Sequence, residues 1–148
     1  MIHGLLVGRD TLCKWKKVNS SLCPLCKRKE DVKHIYFECH RIQEIWNKIG
    51  KAIDVKITWK HIVLGFTQDL LVHKCRNLLF KIVLYSIFKT WLHGVENVNN
   101  YTTHNTIWHN ILRDLRIWNC ILYSTNLGKQ YFLIRRIWNN CYIKLNSM

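Results

Sequence analysis

Cys23, Cys26, His34 and Cys39 stand in the pattern C-x2-C-x7-H-x4-C. Three potential thiolates and one imidazole within seventeen residues are the ligand set of a single tetrahedral zinc ion. The Cys23-Pro24-Leu25-Cys26 turn folds tightly enough to present both sulfurs to one metal. Zinc lowers the cysteine pKa, so these ligands bind as thiolates. The second pair is less regular. His34 and Cys39 are five apart, whereas an ideal helix aligns residues four apart. A helix through His34 is therefore expected to fray or end near Cys39. His40 is the rival fourth ligand, and Cys39 is preferred because sulfur suits a closed structural site. Four protein ligands leave no position for water, so the expected metal is structural rather than catalytic. Any one of these residues alone would read as a buried cysteine or a core histidine; four in this spacing favour the metal.

Basic residues crowd the same stretch. Lys14, Lys16, Lys17, Lys27, Arg28, Lys29, Lys33 and Arg41 surround the ligands in sequence, and the chain carries a formal charge of +14. Ammonium and guanidinium groups pair with phosphates and release counterions, which gives affinity independent of sequence. The excess points to nucleic acid first and an anionic membrane surface second. The plain alternative is a solvated basic surface with no partner. Trp15, between Lys14 and Lys16, and Tyr36 are candidates for stacking on unpaired bases. Trp46, behind Ile42 and Ile45 at helical spacing, reads as core, as do Trp91, Trp108, Trp118 and Trp138.

Catalysis has no comparable signature. The nine carboxylates are scattered and no Y-x-D-D motif occurs, whereas metal-dependent polymerases and nucleases need carboxylates converging on divalent ions. Of the other histidines, only His104 and His109 approach ligand spacing, with no cysteine near. No Ser/His/Asp or Cys/His arrangement can be argued. Seven cysteines, an odd number, do not suit a secreted disulfide framework. The apolar run at the start is too short for a secretory signal. A reducing intracellular compartment is expected, with Cys13, Cys75, Cys120 and Cys141 as buried thiols.

The elements that must position these groups read as helices. Asp10 is the expected N-cap of a short helix through Leu12, Trp15 and Val18, broken at Asn19-Ser20-Ser21. Lys27-Arg28-Lys29-Glu30 is polar turn material. Glu30 or Asp31 begins the next helix, carrying Val32, Ile35, Ile42, Ile45, Trp46 and Ile49, with Gly50 as its stop. Val55, Ile57 and Trp59 alternate, so Lys51–Lys60 is a short strand or a linker with one buried face. Trp59–Gly65 makes a helical turn or two. Leu70–Val95 is the longest apolar segment. Lys74, Arg76, Lys81 and Lys89 interrupt it, so it is expected to be a buried central helix and not a membrane span. A polar loop over Gly94–Asn105 leads to a helix over Thr106–Tyr123. After a break at Asn126-Leu127-Gly128, a last helix covers Tyr131–Leu145. The fold class is mostly α: a CCHC zinc-stabilised module over residues 1–50, then a helical bundle tail over 51–148. Metal binding is expected to fold the first part while the tail keeps its own structure.

Gly4–Leu12, Ser21–Cys26 and Glu30–Cys39, followed by Ile45-Trp46, carry in order an R-[DT]-x-L leader, C-P-x-C, an E-[TD]-x-x-H-[LI] step, a cysteine and a later tryptophan. Over residues 3–50 this resembles the zinc-binding domain that follows the reverse transcriptase of LINE-type (non-LTR) retrotransposons. The resemblance implies Zn2+ as cofactor and contact with template RNA or target DNA during target-primed reverse transcription. It also implies a nuclear and cytoplasmic ribonucleoprotein. Lacking polymerase motifs, the chain then reads as a non-catalytic fragment of the polyprotein. The alternative is a protein-interaction module, in which zinc is a staple and the tail docks on the polymerase core or another subunit.

Overall fold

A computed structural model describes residues 7–96, 104–124, 139–140 and 142–147. The first helix, α1 (Arg9–Lys14), begins where only glycine fits: a Cβ on Gly8 would lie 2.4 Å from the Glu30 carbonyl oxygen and 2.8 Å from the Asp31 Cα. Gly8 is the N-cap, and Asp10 sits in the first turn. The expected Asp10 cap is therefore two positions off, because the close approach of Glu30 sets where the helix starts. Asp10 N–H donates to the Glu30 carbonyl (3.2 Å), so α1 is tied to the loop that follows it. Lys16 adopts a left-handed φ of 56° and ends the helix short of Val18.

Leu22 and Lys29 pair in an isolated antiparallel bridge. Cys23 N–H donates to the Arg28 carbonyl (2.8 Å) and Glu30 N–H to that of Ser21 (2.9 Å), which closes the turn between the first two ligands. One turn of π-helix follows over His34–Glu38, then α2 (His40–Ile53). The spacing of Ile42, Ile45, Trp46, Ile49 and Ile53 buries one stripe of α2. The helix runs past Gly50, the expected stop. Gly50 instead admits the returning chain, since a Cβ there would meet the Val55 carbonyl oxygen at 2.7 Å. Asp54, left-handed at φ 54°, ends α2. Residues 55–58 form no helix or strand among the described residues, so this segment is the linker of the two expected alternatives. Thr58 and His61 form a reciprocal capping box that starts α3 (Trp59–Leu64).

The long α4 (Leu71–Glu96) and α5 (His104–Ser124) pack together, and α5 also packs on α2. Leu71–Val95 is long and apolar enough to cross a bilayer, but 56% of its most apolar window is buried within the protein, as in a core helix. Ile42 and Ile49 of α2, Phe80 and Val83 of α4, Ile111 and Leu115 of α5, and Leu145 belong to one buried cluster. That cluster also includes Cys23, Tyr36 and Cys39, so the core does not divide at residue 50. Residues 142–146 are helical, as are 139–140. The rest of the expected last helix and the break at Asn126–Gly128 lie outside the described residues, as do Trp138, Cys141 and most of the expected 94–105 loop. Trp91 and Trp108 are core as expected, but Trp118 is 39% exposed on α5. Cys75 is buried, Cys13 only partly, and Cys120 is exposed.

Candidate zinc centre and the basic surface around it

The Sγ atoms of Cys23, Cys26 and Cys39 and a ring nitrogen of His34 all lie within 4.8 Å of one another. A tetrahedral ion with metal–sulfur bonds of about 2.3 Å needs its sulfurs about 3.8 Å apart, so this spacing fits zinc. His34 Nε2 sits 3.2 Å from Cys26 Sγ, which makes Nε2 the ligand atom. The rival His40 is exposed and stands outside the cluster.

Local folding explains how four side chains from two separate segments meet. In the C-P-x-C turn, backbone N–H groups of Leu25 and Cys26 hydrogen-bond the Cys23 sulfur. Lys27 then takes a left-handed φ of 58°, and its N–H donates to the Cys23 carbonyl (2.9 Å). The second ligand pair uses the π-turn. Cys39 N–H donates to the His34 carbonyl five residues back (3.0 Å), so residues five apart lie on one face of the turn. Of the two expected outcomes near Cys39, fraying or ending, the helix ends: it widens by one residue over His34–Glu38, stops at the extended Cys39 and restarts with Cys39 as the N-cap of α2. Asp31 holds the start of this turn, its Oδ1 accepting from His34 N–H (2.8 Å).

The electrostatics fit a cation. The Cys39 thiol donates to the Cys23 sulfur, which holds Cys23 well below the usual thiol range against the opposing effect of burial. The same contact, with burial, pushes Cys39 up, while the Arg41 guanidinium pulls it back down. Sulfurs this close and this buried repel one another as thiolates unless a cation lies among them. Three soft sulfurs and an imidazole select zinc among the common divalent ions.

Residues 1–46 match a family described as zinc-binding in reverse transcriptase. The N-terminal part of the chain is a zinc-binding module. The matched segment contains all four clustered ligands and ends at Trp46, whose indole N–H donates to the Tyr36 carbonyl (2.7 Å) just before Cys39. The family is a zinc-binding one, not a catalytic one. Comparison with curated proteins and with solved structures gives no match.

Around the zinc-binding module, Lys14, Lys16, Lys17, Lys27, Arg28, Lys29 and Lys33 are all exposed. Two of them are shared with carboxylates: Lys29 Nζ lies 3.5 Å from Asp10, and Lys33 Nζ lies 2.6 Å from Glu38. Arg41 departs from the expected set. It is 5% exposed and directs its charge at Cys39, so it supports the metal centre and is not a surface contact. Tyr36 is also buried, and burial pushes its phenol up, so its ring offers no stacking face. Trp15, in contrast, is 58% exposed.

Glu30 was not singled out as functional in the sequence, where it reads as turn material. It is 1% exposed. Its carboxylate accepts from the Trp91 indole N–H of α4 (2.8 Å), and Arg9 Nε approaches to 3.7 Å. A glutamate at the end of a Lys-Arg-Lys run gives no periodic sign of burial, and its partner lies sixty-one residues away.

Proposed function

We propose that this chain is a non-catalytic, nucleic-acid-binding fragment of a non-LTR (LINE-type) retrotransposon reverse transcriptase polyprotein, lying C-terminal to the polymerase. It helps hold template RNA or target DNA, in a nuclear and cytoplasmic ribonucleoprotein, and it contacts the polymerase core of the same polyprotein. The observation that carries the reading is the exposed Trp15 among exposed Lys14, Lys16 and Lys17, at the C-terminal end of a short helix hydrogen-bonded to a zinc-binding loop that exposes Lys27, Arg28 and Lys29. Cations neutralise phosphates, while an exposed indole between them offers a surface on which an unpaired base stacks. Cys23, Cys26, His34 and Cys39 hold the zinc ion that fixes this surface. Rigid presentation of the lysines reduces the ordering cost of binding.

A salt titration tests the proposal. Each neutralised phosphate contributes about 0.7–0.9 to the slope of log affinity against log salt. Replacing Lys27, Arg28 and Lys29 with alanine should lower that slope by about 2–3 and weaken all sequences alike. Zinc content should not change, since none of the three is a ligand. A triple variant that binds RNA and DNA as tightly as the parent, with the same slope, would replace this reading with that of a zinc-stapled protein-interaction module.

A further inference from the structure

Beyond the zinc loop, an open groove of about 650 Å³ lies between α2 and the linker that follows it. Phe37, Trp46 and Ile57 give it apolar lining. Trp46 is buried, its indole N–H donating to the Tyr36 carbonyl, so it forms the floor, and the half-buried Phe37 is the accessible ring. The rest of the wall is polar and exposed: Gln43, Asn47 and Lys51 at successive fourth positions of α2, then Asp54 and Lys56. None of these five side chains makes a hydrogen bond or ion pair within the described residues. Gly50 lines the cavity as well, and its missing side chain is what lets the segment at Val55 run so close to α2.

We propose that this groove takes one unstacked nucleotide of a single-stranded nucleic acid, a deepening that rests on the nucleic-acid reading above. Its volume falls within the range of sites that enclose small ligands. The half-buried Phe37 ring takes the face of a base, and two carboxamides supply the paired donors and acceptors that a base edge requires. Lys51 and Lys56 supply two positive charges for the flanking phosphates. Asp54 accepts from a base amine or a ribose hydroxyl. The groove also continues from the zinc centre: Gln43 is one helical turn, about 6 Å, beyond Cys39. A strand held at the zinc loop therefore reaches it within a few nucleotides.

The test uses the zinc-loaded full chain and a single-stranded RNA oligonucleotide, intact and with abasic positions. The parent should prefer the intact strand by about tenfold, the effect of one stacked base. The Gln43→Ala/Asn47→Ala variant, which leaves the ring in place but removes the base-edge hydrogen bonds, should reduce that preference to about threefold at an unchanged salt slope. The Lys51→Ala/Lys56→Ala variant should keep the preference and lower the salt slope by about 1.4, two contacts at the single-strand value. All four side chains are exposed, so zinc content should stay at the parent value in both variants. A strand carrying photoactivatable 4-thiouridine gives a second readout on the parent itself and should crosslink within residues 37–57. Tight binding with no crosslink there and no change in either variant would overturn the groove and leave the basic surface standing. Failure of the parent to bind any RNA or DNA would overturn both. Retention of an extended peptide in place of RNA would also overturn the nucleotide site.

Discussion

Lys27 does two incompatible things well enough. It follows the second cysteine in a left-handed conformation, φ 58°, where a side chain costs about 1–2 kcal/mol relative to glycine. It is also an exposed cation in the centre of the basic loop. Lys27→Gly separates the two roles. The variant should hold the metal loop about 0.5–1 kcal/mol more firmly, the relieved strain being partly offset by the entropy that glycine adds to the unfolded chain. The measurement is zinc competition against a chelator of known affinity. In the salt titration, the same variant should lose one phosphate contact, about 0.7–0.9 in slope. Weaker zinc binding by Lys27→Gly would mean that the side chain, and not the backbone, is what the loop needs. At this scale the ligands were legible in the sequence because sulfur and imidazole at close spacing have few other uses. The fate of Arg41 and Tyr36 was not. Each carries a group that suits nucleic acid, and only the packing of the turn between His34 and α2 puts both inside.

At the scale of elements, the site depends on a one-residue widening of a helix. Sequence spacing exposed the problem, since five residues separate His34 from Cys39, but it did not give the solution. A π-turn leaves no mark in hydrophobic periodicity that distinguishes it from a frayed end. The Asp31 cap was legible, because an aspartate three residues before the first hydrogen-bonded N–H is a recognised start. Its carboxylate accepts from the backbone of a metal ligand, His34, at 2.8 Å. Asp31→Ala should therefore cost about 1 kcal/mol of stability, the usual value of a lost cap. Because the capped residue is itself a ligand, zinc affinity should fall by about fivefold, the same free energy expressed at the metal. Asp31→Asn, which keeps the acceptor, should restore most of both. Urea unfolding of the zinc-loaded chain and metal competition measure the two effects. A variant that lost stability without any change in zinc affinity would show the turn to be held by the metal alone. The extents of α4 and α5 were read to within two residues of their ends from apolar spacing. Gly50 misled, because a glycine that admits a crossing chain looks in sequence like one that stops a helix.

The molecule as a whole joins its metal site to its helices through a buried charge. Glu30 belongs to the zinc loop and Trp91 to α4; both are buried, and their 2.8 Å hydrogen bond spans most of the described chain. Arg9 approaches the same carboxylate from α1. Cys23 and Cys39 lie in the same core cluster as Phe80 and Ile111. This continuity runs against the expectation that zinc folds the first fifty residues alone. A structural zinc ion contributes about 10–16 kcal/mol of apparent binding energy, as much as the net stability of a typical domain, about 5–15 kcal/mol. Removing it should therefore unfold more than the loop. Hydrogen exchange under chelation should show lost protection at residues 79–91 of α4 together with residues 21–39, in one cooperative step. Trp91→Phe provides an independent check with the metal retained. It removes the indole donor but keeps an aromatic ring, and it should destabilise the chain by about 1.5–3 kcal/mol, the value of a hydrogen bond to a charged group. It should also speed zinc loss to a chelator, although residue 91 lies far from every ligand in sequence. If α4 kept its protection after chelation, and Trp91→Phe left zinc release unchanged, the loop and the helices would be two folding units that share only a surface.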